Sequence, residues 1–112
     1  MSARGLGPIE LVPPGEGRTF DLGGMAIAVF RTRDGELYAT QARCPHKQGP
    51  LADGLVGGRS VTCPLHARRF DLATGQAHGG ECDALRTYPV FERDGQLFVE
   101  LRTESQVQAC RV

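Results

Sequence analysis

The chain has 112 residues, which is enough for one domain with a modest core and too few for a second. Its thirteen basic and thirteen acidic residues balance, so the overall charge favours neither nucleic acid nor an anionic membrane as a partner. The N-terminal segment lacks the apolar run of a secretion signal or membrane anchor. We therefore expect a cytoplasmic, soluble domain spanning residues 1–112.

The first forty residues contain strand-sized runs separated by glycine and proline. A short edge strand is predicted over residues 8–13, because the prolines that end it cannot donate to a β-ladder. A second strand is predicted over residues 18–22. The runs 25–31 and 36–41 flank Arg-Asp-Gly, and Asp-Gly between apolar runs is a strong hairpin signal.

The rest of the chain continues this pattern. Residues 49–58 are rich in glycine and predict a loop, with Leu51 and Leu55 as its interior anchors. Short strands are predicted over 60–62 and 69–72, followed by a hairpin of 85–92 and 96–101 around a second Arg-Asp-Gly. No run has convincing helical periodicity, so we predict an all-β antiparallel sandwich or small barrel. Residues 103–112 are expected to be a flexible tail.

The chemistry of the chain is concentrated between Arg43 and Phe70. Cys44 with His46 and Cys63 with His66 form two short pairs, and sixteen residues separate the pairs. Two thiolates and two neutral imidazoles suit zinc, or an iron-sulfur cluster in which histidine replaces cysteine on one iron.

The distribution of the four ligands favours the cluster over zinc. Zinc fingers usually pair cysteine with cysteine and histidine with histidine, each pair on its own turn. Here each pair holds one residue of each kind, so two facing loops could give two sulfurs to one iron and two nitrogens to the other. A structural zinc site remains the alternative.

The sequence Cys-Pro-His-Lys-Gln-Gly-Pro-Leu, starting at Cys44, and Cys-Pro-Leu-His, starting at Cys63, resemble the two ligand boxes of the Rieske 2Fe-2S family. Residues 70–75 and 85–90 are also similar to segments of Rieske ferredoxins. The resemblance implies a β-sandwich with an inserted cluster-binding subdomain at about residues 43–70. It also implies one 2Fe-2S cluster per chain, held by Cys44, His46, Cys63 and His66.

Four departures from high-potential members of this family bear on the redox potential. Rieske subunits of cytochrome bc complexes carry a disulfide between the boxes and Ser and Tyr hydroxyls that donate to the cluster and a ligand sulfur. The matching positions here are Gly49, Leu65, Arg68 and Phe70. The resemblance therefore implies a potential at the low end of the Rieske range, near roughly −150 mV.

The resemblance also implies a role. Rieske ferredoxins carry single electrons from a flavin-dependent reductase to a ring-hydroxylating oxygenase, so we expect an electron carrier and not an enzyme. The alternative is the small subunit of an assimilatory nitrite reductase or another oxidoreductase complex. A terminal oxygenase would need a further mononuclear iron site, for which only His78 remains unassigned. A monomer that binds neither nucleic acid nor membrane is expected.

Residues 43–69 contain five basic residues and one acidic residue, Asp53. This local excess of positive charge predicts an acidic docking surface on the redox partner. Cys82 and Cys110 are interpreted as thiols without a role in the site, since a cytoplasmic protein keeps them reduced.

Overall fold

The computed structural model describes residues 2–43, 50–63, 69–77 and 84–101. Within these ranges the chain forms antiparallel strands and two short 3-10 turns, at Ile9–Leu11 and Leu51–Asp53. No helix in them is long and apolar enough to cross a bilayer. The strands are β1 (Ser2–Pro8), β2 (Glu16–Asp21), β3 (Ala26–Arg31), β4 (Leu37–Gln41), β5 (Leu55–Gly57), β6 (Ser60–Thr62), β7 (Arg69–Asp71), β8 (Thr87–Tyr88), β9 (Val90–Arg93) and β10 (Gln96–Leu101).

The strands form three sheets, ordered β1-β10-β9, β2-β3-β4-β8 and β5-β6-β7. The small sheet β5-β6-β7 is inserted in sequence between β4 and β8, which are hydrogen-bonded neighbours in the central sheet. The predicted all-β fold with an inserted subdomain is therefore confirmed.

Strand β3 shows how the three sheets are layered. Ile27 and Val29 point to one face of the central sheet and pack with Leu97 and Val99 of β10. Ala28 and Phe30 point to the other face and pack with residues of the small sheet. Both faces of β3 are thus covered, which explains why its sequence is a continuous apolar run instead of an alternating one.

The predicted N-terminal edge strand is wrong. Residues 9–11 form a 3-10 turn, and the strand lies earlier, at Ser2–Pro8, where it pairs with β10. The register shifts between Gly5 and Gly7, and Gly7 has φ of 120°, as expected for a bulge at a sheet edge. The glycine-rich sequence has weak strand propensity, so this strand depends on its long-range partner.

The predicted loop at residues 49–58 is wrong in part. Leu51 is fully buried, as expected, but Leu55 is 78% exposed. Residues 55–57 form β5, in which Val56 pairs with the buried Val61. Because side chains alternate along a strand, placing Val56 toward the core turns Leu55 to solvent.

The C-terminal hairpin is confirmed at its turn but differs in its first strand. Asp94 and Gly95 both have positive φ, at 55° and 78°, as the Asp-Gly signal predicts. Pro89 divides the first strand into β8, which joins the central sheet, and β9, which pairs with β10. Proline has no amide hydrogen for a ladder, so the change of sheet occurs there.

Candidate metal centre

The predicted ligands are Cys63 and residues of two segments, 44–49 and 64–68, and the residues that flank each segment pair with each other. The first segment, 44–49, leaves the described chain at Arg43 and returns at Pro50, and these two residues form an antiparallel bridge. The Leu51 amide donates to the Ala42 carbonyl at 3.0 Å. The first segment therefore begins and ends at neighbouring points of the backbone.

The second segment, 64–68, connects two paired strands. Thr62 of β6 lies opposite Arg69 of β7, so Cys63 stands directly at the end of this ladder. Cys63 is 1% exposed and belongs to a buried cluster that includes Leu51 and Phe70. Cys63, just before the second segment, and Leu51, just after the first, therefore lie in one apolar core.

The structure describes one of the four predicted ligands. Cys44, His46 and His66 lie outside the described residues, as do His78, Cys82 and Cys110, so the ligand set stays a prediction. The described part fits a cluster. A cysteine sulfur in an apolar, water-excluded cluster suits the inner side of an iron-sulfur group.

Sequence reasoning missed a side chain that secures the entrance to the first segment. The Gln41 amide nitrogen donates to the Arg43 carbonyl at 2.8 Å, and its amide oxygen accepts from the Arg86 backbone nitrogen at 2.8 Å. Gln41 therefore ties the last described residue before Cys44 to the chain that enters β8. A glutamine at the end of a strand carries no sequence signal for this role, because both partners are backbone groups.

Tyr38 connects the small sheet to the central sheet at the end remote from Cys63. Its hydroxyl donates to Glu36 Oε1 at 2.8 Å, and Arg59 in the β5–β6 turn lies within reach of it. Burial raises the pKa of Tyr38 above its ordinary value of 10.0, Glu36 raises it further, and Arg59 acts in the opposite direction. The phenol is therefore neutral at physiological pH.

Comparison with known proteins identifies the family and the cofactor. The model of the Rieske [2Fe-2S] domain matches residues 6–89, a range that includes all four predicted ligands and the whole small sheet. The chain belongs to the Rieske [2Fe-2S] domain family. Its cofactor is accordingly a 2Fe-2S cluster, and the zinc alternative is set aside.

Several Rieske proteins resemble this chain over most of its length. The 3-phenylpropionate/cinnamic acid dioxygenase ferredoxin subunit of Escherichia coli K12 is 40% identical over 96 residues, which cover 84% of this chain and 89% of that protein. The ferredoxin in a complex of reduced oxygenase and oxidized ferredoxin of carbazole 1,9a-dioxygenase has a TM-score of 0.76 and 27% identity. That match covers 87% of this chain and all of the other.

A protein described as a nitrite reductase NADPH small subunit also shares the Rieske fold. It has a TM-score of 0.81 and 26% identity, and the match covers 90% of this chain and all of that one. Fold similarity alone therefore does not separate the two roles considered from the sequence, whereas the higher sequence identity lies with the dioxygenase ferredoxin.

Proposed function

We propose that this protein is the ferredoxin of a multicomponent oxygenase system, passing single electrons from a flavin-dependent reductase to a terminal aromatic-ring-hydroxylating oxygenase. The observation that supports it most is 40% identity, over nearly the full length of both chains, to the ferredoxin subunit of a dioxygenase. We further propose that the protein is cytoplasmic, monomeric and not itself catalytic.

The ligand set proposed for the cluster is Cys44 and Cys63 on one iron and His46 and His66 on the other. When bound, the cluster supplies reversible one-electron oxidation and reduction. The chain's own part is to hold the two ligand segments together. Three features do this: the Arg43–Pro50 bridge, the β6–β7 ladder and the apolar cluster around Cys63.

Reconstitution tests the carrier role. The purified protein, mixed with a separate flavin reductase and a separate ring-hydroxylating oxygenase, is expected to couple NADH oxidation to substrate hydroxylation. Stopped-flow absorbance should show the cluster reduced by the reductase and reoxidised by the oxygenase. Omitting the protein should remove the coupling. Reoxidation by a nitrite reductase large subunit, and by no oxygenase tested, would favour the small-subunit alternative.

Exposed arginines that border the two ligand segments are expected to guide the oxygenase to the cluster. Arg43 and Arg69 are both exposed, and each borders one of the two ligand segments. Such a surface fits an acidic patch on the oxygenase, and charge at the rim of an interface acts mainly on the association rate.

The Arg69→Glu variant should slow oxygenase reduction at low ionic strength by about two- to tenfold and weaken its dependence on salt. Arg4→Glu makes the same charge change at an exposed residue of β1, on another sheet, and serves as the control. Equal effects of the two substitutions, or an unchanged salt dependence in Arg69→Glu, would contradict an acidic docking patch. Second-order rate constants from stopped-flow measurements at several salt concentrations decide.

A further inference from the structure

Gly54 lies at the contact between two backbone stretches, one following the first ligand segment and one preceding the second. It follows the 3-10 turn Leu51–Asp53, which receives the chain from the first segment, and its amide donates to the Leu51 carbonyl at 2.9 Å. On its other side it faces the backbone of Thr62, the residue before Cys63.

The contact is too close for any side chain. A Cβ at position 54 would overlap the Thr62 carbonyl oxygen, and it would lie 3.1 Å from both the Thr62 carbonyl carbon and the Leu51 carbonyl oxygen. All three obstacles are backbone atoms, so no side chain can rotate away to make room.

The backbone conformation does not itself require glycine at this position. Gly54 has φ of −77° and ψ of 173°, an extended conformation that any residue adopts. The need for glycine is therefore one of close approach: an alanine would be accommodated only by moving the turn and the Thr62–Cys63 backbone apart.

We infer that Gly54 is a positioning residue for the cluster, setting the separation between the two ligand segments. The turn beside it begins one residue after Pro50, and the strand it touches ends one residue before Cys63. A displacement at this contact thus passes directly to Cys63 on one side and to the return of the first segment on the other. The inference rests on the proposed ligand role of these segments.

The matched test compares Gly54→Ala with Gly57→Ala. Gly57 is the last residue of β5, the strand that directly follows Gly54, and a Cβ there meets nothing within 4 Å. Val99→Ala is a second comparison, because it weakens the other apolar cluster, between the central sheet and β10, which contains neither Cys63 nor Thr62. All three variants are purified anaerobically with their cluster.

Gly54→Ala should lose iron to a chelator about tenfold faster than wild type, matching the lower end of the roughly 10- to 100-fold loss of metal affinity that follows when groups supporting metal ligands are altered. Its reduced form should give electron paramagnetic resonance g-values distinct from wild type. Gly57→Ala should match wild type in both. Val99→Ala should lower the unfolding temperature while keeping the wild-type g-values.

Wild-type g-values and chelator half-life in Gly54→Ala would overturn the inference while leaving the proposed function intact. Circular dichroism of the metal-free proteins detects a general folding defect. Less β-sheet signal in metal-free Gly54→Ala than in metal-free wild type would show that Gly54 serves the whole fold, and this result would also overturn the inference. Absence of a 2Fe-2S signal in wild type itself would instead refute the proposed cluster role.

Discussion

Replacing Cys63 with serine is expected to abolish the 2Fe-2S cluster. Cys63 is buried at the end of the β6–β7 ladder, where a thiolate is the proposed inner ligand. Serine keeps the size but is a poor ligand for iron in such a site, since iron-sulfur clusters are held by thiolates. The purified variant should lose its visible absorption and nearly all of its iron and acid-labile sulfide.

Cys82→Ser and Cys110→Ser are the matched controls, because they make the same chemical change at cysteines outside the predicted ligand set. Both should keep wild-type absorption and iron content. Loss of the cluster in either control, or its retention in Cys63→Ser, would show that the ligands have been assigned wrongly. Iron and sulfide assays on all three proteins, purified anaerobically in parallel, decide between these outcomes.

The second large effect concerns the redox potential. We expect a wild-type midpoint near roughly −150 mV, because Arg68 and Phe70 stand where high-potential Rieske proteins have hydroxyl donors. Phe70 is fully buried in the same apolar cluster as Cys63, so a hydroxyl added to its ring would be introduced beside the proposed site.

The double variant Arg68→Ser/Phe70→Tyr should therefore have a midpoint higher by about 100 mV. A hydrogen bond to a charged acceptor is worth roughly 1.5 to 3 kcal/mol. For one electron, about 59 mV corresponds to a tenfold change in the redox equilibrium constant, so a fraction of the energy of two such bonds accounts for the expected shift in potential. Phe91→Tyr, on another sheet, is the control and should leave the potential unchanged. Protein-film voltammetry measures all three.

A wild-type midpoint above about +100 mV would contradict the role given to the missing hydroxyls. An unchanged midpoint in the double variant would show that the new hydroxyls do not reach the cluster or its ligands. In that case the low potential would have to come from another property of the site, such as its exposure to solvent.

Local sequence signals predicted the elements whose formation depends on near neighbours. The Asp-Gly turn at residues 94–95, the apolar β3 and the short β6 all lie where the pattern indicated. Turn residues and alternation act over a few positions, so they can be read without knowledge of the fold. Of the strands that were wrong or missed, β1 depends on a distant partner, β10. In contrast, β5 pairs with the adjacent β6, but its glycine-rich surroundings indicate a loop.

The candidate site likewise has parts that the sequence predicts and parts that it does not. Ligand chemistry is local, because a cysteine and a histidine two or three residues apart already form half of a metal site, and the two pairs pointed to the cofactor that the family comparison supports. The supporting contacts of Gln41 with Arg43 and Arg86, and of Gly54 with Thr62, had no such signal.

The sequence by itself predicted the all-β class and favoured a 2Fe-2S cluster over zinc, since the types of the ligand residues and the spacing of turns are properties of short segments. Only the tertiary structure decided how the two ligand segments are held at one place. The two ends of the first segment meet backbone to backbone at Arg43 and Pro50, and the stretches that flank the two segments meet at Gly54 and Thr62. Nearly every residue has the same backbone atoms, so a pattern of side chains does not predict where two distant stretches of main chain will meet.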